Sequence, residues 1–207
     1  MVRQSAAGPG FRLALVEYVM VQARPIEKLG HQARLYALTR LAGRGHSYDD
    51  DVVFAAAWLH DLGVFEGHRP EDPRLLPGWD HTGYAMRHAP AVLARAGFPA
   101  EKTAGVVEAI RTHQPQDAPG TIEGILLRDA DILEQLGSVG ILRVVAKIGR
   151  DTRYRIFTDA VATLRRNLAE LPGKLRLESA KELAEPRIAL LREFLRQIDE
   201  ETQGRLY

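Results

Sequence analysis

The chain has 207 residues, 45% of them hydrophobic and 27% charged, a composition typical of a soluble globular protein with a sizeable core. Its formal net charge of +1, from 28 basic and 27 acidic residues, gives no basis for binding a nucleic acid polymer or an anionic membrane. The absence of cysteine excludes disulfides, thiolate zinc sites and a cysteine nucleophile. No segment has the length of a membrane span and no signal peptide is evident, so we expect no membrane partner and a cytoplasmic location.

Apolar residues recur at helical spacing along almost the whole chain, and no alternating strand pattern of useful length occurs. We therefore predict an all-α fold in a single domain, residues 1–207. Proline and glycine residues mark where the predicted helices end. The predicted helices cover residues 11–23, 26–42, 49–62, 80–96, 99–113, 121–136, 137–170 and 178–201, and an irregular proline-rich loop covers 64–78.

The second predicted helix carries a histidine that faces the core. His31 shares one helical face with Leu35, Leu38 and Ala42, which follow it at i+4, i+7 and i+11. A lone histidine on an apolar face is more often a satisfied core residue than a ligand, and both interpretations stay open here. Arg34 lies near the same face, and it is either a solvated arginine or a contact to an anionic ligand.

The third predicted helix is the centre of the sequence pattern, because its eight consecutive apolar residues, 52–59, lead into a histidine and an aspartate. A helix that is apolar on all sides is buried, which brings His60 and Asp61 into a poorly solvated place. Burying an unpaired carboxylate is costly, yet no lysine or arginine lies within seven residues of Asp61. Its partner is therefore a distant cation or a metal ion. The structural alternative is a capping histidine beside a satisfied aspartate.

Two aspartates interrupt an otherwise apolar helix further along, in Arg128-Asp129-Ala130-Asp131. Such carboxylates are costly unless they are paired or bound to a metal. Asp129 and Asp131 lie about 200° apart on a helix and cannot both face one ion. The periodicity places Asp129 on the apolar stripe. Two more histidines fall at helix ends: His81 at the start of one predicted helix and His113 at the end of the next.

The order of these residues resembles that of the HD superfamily of metal-dependent phosphohydrolases. The resemblance covers about residues 27–136. It rests on His31-x-x-Arg34, Ala-Ala-Trp-Leu-His60-Asp61-Leu-Gly, His81, Ile110-x-x-His113 and Leu-Arg-Asp129-Ala-Asp131-Ile-Leu. Beyond residue 137, three segments resemble the tail of bacterial HD hydrolases that act on nucleotides: Gly140-Ile141-Leu142-Arg143, Gly173-Lys174-Leu175, and Arg187 with Phe194-Leu195. The Gly-Tyr-Pro extension of the second-messenger phosphodiesterases and the acidic pair of the alarmone hydrolases are absent.

The resemblance implies an HD-type helical core with additional C-terminal helices at about 137–201. It implies four metal ligands: His31, His60, Asp61 and Asp131. It also implies a role for His81 and His113. They either hold the substrate phosphate and donate a proton to its leaving oxygen, or they complete a second metal site. Asp129 would not bind the metal itself and would instead hold a histidine or an arginine in position. The implied contacts to substrate phosphate are Arg34, Lys174 and Arg187, although the last two could equally be surface charges on a polar tail.

Two imidazoles and two carboxylates suit Mn²⁺, Fe²⁺, Co²⁺ or Zn²⁺ better than an ion such as Ca²⁺ that prefers oxygen ligands alone. We expect Mn²⁺, with Fe, Co, Zn, Ni or Mg as alternatives. We expect a hydrolase that cleaves a phosphate ester or anhydride of a small nucleotide-like or phosphorylated metabolite with a metal-activated water. Two alternatives stay open: an HD-type di-iron oxygenase, and a non-catalytic module that binds a nucleotide. The polar 64–78 loop favours the hydrolase, because an oxygen intermediate needs a water-excluding cover. The oligomeric state stays open, with a homodimer as one alternative.

Overall fold

The computed structural model describes residues 10–207, and within that range every regular element is a helix. The all-α prediction is confirmed. Nine α-helices occur in the described range: α1 (Gly10–Gln22), α2 (Leu29–Ala42), α3 (Asp50–Leu59), α4 (His81–Arg95), α5 (Thr103–Arg111), α6 (Ile122–Glu134), α7 (Gly137–Val145), α8 (Phe157–Glu170) and α9 (Glu178–Thr202). Short 3₁₀ turns join several of them, including Leu62–Val64 at the start of the proline-rich segment and Pro73–Gly78 within it.

The chain divides into two compact units, with the boundary between Ala130 and Asp131, inside α6. The first unit holds α1 to α5 and most of α6. The second holds the end of α6 together with α7, α8 and α9. The single domain expected from the sequence stays a prediction.

In the first unit, α3 is the central helix and packs against α1, α2, α4 and α5. Every residue from Asp51 to His60 is buried, as the unbroken apolar run predicts. The helix begins at a well-defined cap, because the Asp49 side chain accepts hydrogen bonds from the backbone nitrogens of Asp51 and Val52. Asp51 is itself buried, and its carboxylate is paired with Arg12 at 2.7 Å and with Lys102 at 3.0 Å.

The end of α3 differs from the prediction, which extended the helix to residue 62. The helix stops at Leu59, and Asp61 leaves the helical conformation with φ −99° and ψ 17°. The last turn of a helix has carbonyl groups without helical partners, and the His60 ring meets one of them, since its Nδ1 lies 3.0 Å from the Ala57 carbonyl oxygen. The chain then turns at Gly63, where an added Cβ would lie 2.5 Å from the His81 carbonyl oxygen. Only glycine permits that approach, which brings the start of α4 against the end of α3.

Helix α4 begins at His81, as predicted, and the Asp80 side chain caps it by accepting from the Gly83 nitrogen at 2.7 Å. Helix α5 ends at Arg111, two residues before the predicted end at His113. His113 therefore lies in the turn after α5 and is buried there.

In the second unit, α7 packs against α8 and α9, and the long final helix α9 is confirmed. The continuous helix predicted for 137–170 is wrong, because α7 and α8 are separated by residues 146–156. Gly149 lies in this interruption with φ +73°, a conformation that breaks a right-handed helix. Asp151 stabilises the turn by accepting a hydrogen bond from the Arg153 nitrogen at 3.0 Å. Across the described chain, no helix combines the length and hydropathy that crossing a membrane would require.

Candidate metal centre

Three donor atoms converge at the end of α3, one from α2 and two from the residues that directly follow α3. His31 Nε2 and His60 Nε2 lie 3.2 Å apart, and Asp61 Oδ2 lies 3.6 Å from each of them. His31 is buried on the inner face of α2, as its spacing with Leu35 predicts, and it reaches His60 across 29 residues of sequence. Two neighbouring residues, His60 and Asp61, can reach one point because Asp61 lies beyond the last helical turn.

Two histidines of this region are oriented in the same way by backbone carbonyls. His60 Nδ1 lies 3.0 Å from the Ala57 oxygen, and His113 Nδ1 lies 2.6 Å from the Ile110 oxygen. A carbonyl oxygen can only accept, so each Nδ1 carries the proton and a neutral ring presents Nε2 as a lone pair. The two rings have centroids 5.0 Å apart. His60, Asp61 and His113 offer ligand atoms that all lie within 4.8 Å of one another.

Asp61 is strongly stabilised in its charged form by the surrounding histidines. Burial alone raises the pKa of its carboxyl group, but the imidazoles of His60, His31, His113 and His81 outweigh burial and hold that pKa far below the ordinary value. Within the described unit, the groups that surround the Asp61 carboxylate are therefore imidazoles and not lysine or arginine side chains. A carboxylate that stays ionised is a suitable metal ligand.

The donor set fits a divalent ion. Ligands held about 2.1 Å from one ion lie about 3.0 Å apart in an octahedron and about 3.4 Å apart in a tetrahedron. The three separations among His31, His60 and Asp61, 3.2 to 3.6 Å, are close to both values. Two unprotonated imidazole nitrogens facing each other at such a distance repel unless a cation or a proton lies between them. The first unit thus holds groups of histidine and aspartate that could bind a metal ion.

His81 lies at the start of α4 but is held differently from His60 and His113. Its Nε2 is 2.9 Å from the Gln114 Nε2, and its ring centroid is 6.2 Å from that of His113. The Gln114 amide also donates to Thr82 Oγ1 at 3.1 Å. Nothing in the local sequence around Gln114 indicates this contact, because its partner lies 33 residues away in the chain.

The two aspartates of α6 have different surroundings. Asp129 is completely buried, and its Oδ1 lies 3.6 Å from the guanidinium of Arg128. Arg128 is buried too and donates to the Pro115 carbonyl oxygen at 2.9 Å, which ties α6 to the turn after His113. Asp131, the first residue of the second unit, is only partly buried, and its Oδ2 accepts a hydrogen bond from Gln135 Nε2 at 3.1 Å.

The three candidate phosphate contacts lie in different parts of the fold. Arg34 is exposed on α2, and its guanidinium lies over Gly30, where an added Cβ would be 2.8 Å from Nη1. Arg34 is thus next to the turn that carries His31. In the second unit, Arg187 donates to the Leu133 carbonyl oxygen at 3.2 Å, and Lys174 lies 4.0 Å from Glu170. Arg187 therefore stabilises the end of α6, in addition to any contact that it makes with substrate.

Comparison with solved structures shows that the helical fold of this chain is similar to that of proteins that include HD-superfamily hydrolases. The Bacillus subtilis protein YpgQ in complex with ADP matches with a TM-score of 0.69 at 23% identity over 93% of this chain and 98% of that chain. An HD-superfamily hydrolase from Bacillus thuringiensis matches with a TM-score of 0.67 at 19% identity over 94% and 97%. A predicted HD superfamily hydrolase from an uncultured Thermotogales bacterium matches with a TM-score of 0.60 at 24% identity over 90% of each chain.

Sequence comparison gives a weaker similarity in the same direction. No protein-family model matches the chain. The uncharacterized protein YpgQ of Bacillus subtilis (strain 168) is 27% identical over 182 residues, which cover 84% of this chain and 83% of YpgQ. The resemblance to the HD superfamily that the motifs indicated is therefore confirmed at the level of the fold.

Proposed function

We propose that this protein is a metal-dependent hydrolase of the HD type that cleaves a phosphate ester or anhydride bond in a small nucleotide-like or phosphorylated metabolite. One observation carries the proposal: His31 Nε2, His60 Nε2 and Asp61 Oδ2 converge within 3.6 Å of one another at the end of a buried helix. Two imidazole nitrogens and a carboxylate oxygen this close together share either a proton or a cation, and three such donors fit one divalent ion.

His31, His60 and Asp61 would hold the ion, and Asp131 is proposed as the fourth ligand on the basis of the Ala-Asp-Ile-Leu motif. Mn²⁺ is the proposed ion. A bound divalent ion lowers the pKa of its water toward neutrality and neutralises charge on the phosphate. Asp129 would not bind the ion itself. It would hold buried Arg128 in position, and Arg128 in turn donates to the turn that follows His113.

Other residues of the first unit would orient the substrate. Arg34, exposed beside the His31 turn, would bind a phosphate oxygen with its planar guanidinium. His81 and His113 would hold the phosphate and donate a proton to the leaving oxygen. As an alternative, His113 supports a second metal site with His60 and Asp61, whose ligand atoms lie within 4.8 Å. Lys174 and Arg187 remain proposed contacts to further phosphate groups.

A nucleotide is the proposed substrate class for two reasons. The tail motifs around Lys174 and Arg187 resemble those of nucleotide hydrolases. The similar protein YpgQ has a crystal structure in complex with ADP. We further propose that the protein acts in the cytoplasm.

The test is phosphate or pyrophosphate release by metal-stripped protein under anaerobic conditions, with Mn²⁺ or other divalent ions added and nucleoside mono-, di- and triphosphates as substrates. We expect turnover that depends on added metal and is abolished in His60→Ala. A His88→Ala variant, altered at an exposed histidine of α4, is the matched control and should retain full activity.

Other outcomes would contradict the proposal. Oxygen uptake by the iron-loaded protein, with no phosphate release from any nucleotide, would favour the di-iron oxygenase instead. Tight ADP binding without turnover under every metal would favour a nucleotide-binding module.

A further inference from the structure

A side chain replaces a helical hydrogen bond where α3 ends. In a longer helix the Leu62 carbonyl oxygen would accept from the Glu66 nitrogen, but that nitrogen donates to the Arg24 carbonyl oxygen at 3.0 Å. His68 Nδ1 instead donates to the Leu62 oxygen at 2.8 Å, beside a longer bond of 3.4 Å from the Phe65 nitrogen. Leu62 is buried, and a buried carbonyl group that loses its partner is costly. The His68 ring thus stabilises the point at which the chain leaves the helix.

The next carbonyl group along the chain also receives a side-chain donor. Trp79 Nε1 donates to the Gly63 oxygen at 2.7 Å, and Gly63 is buried as well. An indole nitrogen only donates and a carbonyl oxygen only accepts, so this bond has one possible direction. His68 and Trp79 therefore hold two adjacent peptide groups, one donor coming from before the prolines of the 64–78 segment and the other from after them.

The two donors are held by other helices of the first unit. The ring of Tyr84, on α4, has its centroid 5.2 Å from that of His68 and 5.7 Å from that of Trp79. His68 Nε2 also lies 2.9 Å from Gln22 Oε1, at the end of α1. Because α1 and α4 fix the positions of the two rings, the rings in turn fix the backbone to which they donate.

The turn that these donors hold decides where the Asp61 side chain lies. Asp61 leaves the helical conformation with φ −99° and ψ 17°, and its carbonyl oxygen accepts from the Val64 nitrogen at 3.0 Å. Its Oδ2 lies 3.6 Å from His31 Nε2 and from His60 Nε2. In a continued helix, Asp61 would point about 100° away from His60. The convergence of the three donor atoms therefore depends on the turn.

We infer that His68 and Trp79 are positioning residues, which keep the Asp61 carboxylate beside the two facing histidines by holding the carbonyl groups of Leu62 and Gly63. The affinity of the site for a divalent ion then depends on two side chains that do not touch the ion. The inference rests on the proposed function, because it takes Asp61 as a metal ligand.

The first experiment measures the turn in metal-stripped protein, so its result depends on neither metal nor activity. Amide hydrogen exchange by NMR reports the Val64 nitrogen, which bonds to Asp61, and the His60 nitrogen, which bonds to the Ala56 oxygen within α3 at 2.9 Å. We expect His68→Leu and Trp79→Phe each to speed exchange at Val64 roughly 2–10-fold, the effect of one hydrogen bond. Exchange at His60 should stay unchanged, whereas a general loss of stability would speed exchange at both amides.

The second experiment measures the dissociation constant of Mn²⁺ by calorimetry. We expect the affinity to fall about 10–100-fold in His68→Leu and in Trp79→Phe. His68→Asn should bind Mn²⁺ nearly as the wild type does, because the asparagine amide nitrogen occupies the position of Nδ1. His46→Leu, at a half-buried histidine before the start of α3, is the matched control and should change neither exchange nor affinity.

Wild-type exchange at Val64 in His68→Leu and Trp79→Phe would overturn the inference, as would wild-type affinity for Mn²⁺ in these two variants. A different result would overturn the proposed function alone. If the wild type binds Mn²⁺ and the variants show both effects, but no phosphate is released from any nucleotide, the positioning of Asp61 by His68 and Trp79 is established and the hydrolase is not.

Discussion

His31 and His60 face each other with their Nε2 atoms 3.2 Å apart, although 29 residues separate them in the sequence. Both rings are almost completely buried. The proton of His60 is fixed on Nδ1 by the Ala57 carbonyl oxygen, so its Nε2 offers a lone pair toward His31. With Asp61 Oδ2 at 3.6 Å from both, the pair and the carboxylate place three donor atoms within reach of one cation.

Replacing His60 or Asp61 by alanine should remove bound metal and activity together. Loss of a residue that hydrogen-bonds to a metal ligand typically reduces metal affinity about 10–100-fold. Loss of a ligand itself should reduce the affinity further. Elemental analysis after gel filtration measures the metal, and circular dichroism should show that the helices remain. A variant that retains full metal occupancy would exclude that residue as a ligand, and His88→Ala is the control.

Asp129 and Asp131 should respond differently to substitution by asparagine. Asp131→Asn should abolish metal binding and leave the stability of the metal-free protein nearly unchanged, because Asp131 is only partly buried. Asp129→Asn should instead destabilise the metal-free protein by about 3 kcal/mol, since it leaves buried Arg128 without its carboxylate. Urea unfolding and metal titration measure the two effects, and the reverse pattern would identify Asp129 as the ligand.

Arg34→Ala should raise KM for a nucleotide roughly 10–100-fold with a smaller change in kcat, because a charge-assisted hydrogen bond to phosphate contributes about 1.5–3 kcal/mol. Arg34→Lys should recover only part of the loss, since lysine lacks the guanidinium fork. Arg40→Ala, at an exposed arginine of the same helix, is the matched control. An unchanged KM in Arg34→Ala would show that Arg34 is a solvated surface residue.

Asp51→Ala tests the anchoring of α3 without touching the site. Asp51 is buried between Arg12 at 2.7 Å and Lys102 at 3.0 Å, so its loss should cost about 3 kcal/mol of unfolding free energy. Asp72→Ala removes an exposed pair with Arg74 and should cost much less unfolding free energy than Asp51→Ala. Activity per folded molecule should be unchanged in both variants, and a stability of Asp51→Ala equal to that of the wild type would show that Asp51 does not anchor the helix.

The all-α architecture follows from the sequence alone, as does the burial of the residues that lead to His60. Eight consecutive apolar residues from Val52 to Leu59 required a buried helix, and the aspartates before it supplied the cap. The spacing of His31 with Leu35 fixed its inward direction, since helical periodicity is a local property. The same logic failed for 137–170, where the turn at Gly149 interrupts the helical pattern.

Which side chains meet depends on how the helices pack against one another. The end of α3 depends on the His60 cap and on the approach of His81 to Gly63, which no local pattern encodes. The contact between Gln114 and His81, and that between Arg128 and the Pro115 carbonyl, join segments distant in sequence. The local sequence gives the identity of each side chain and the helix face on which it lies. The convergence of their lone pairs on one point depends on the packing of helices that are distant in sequence.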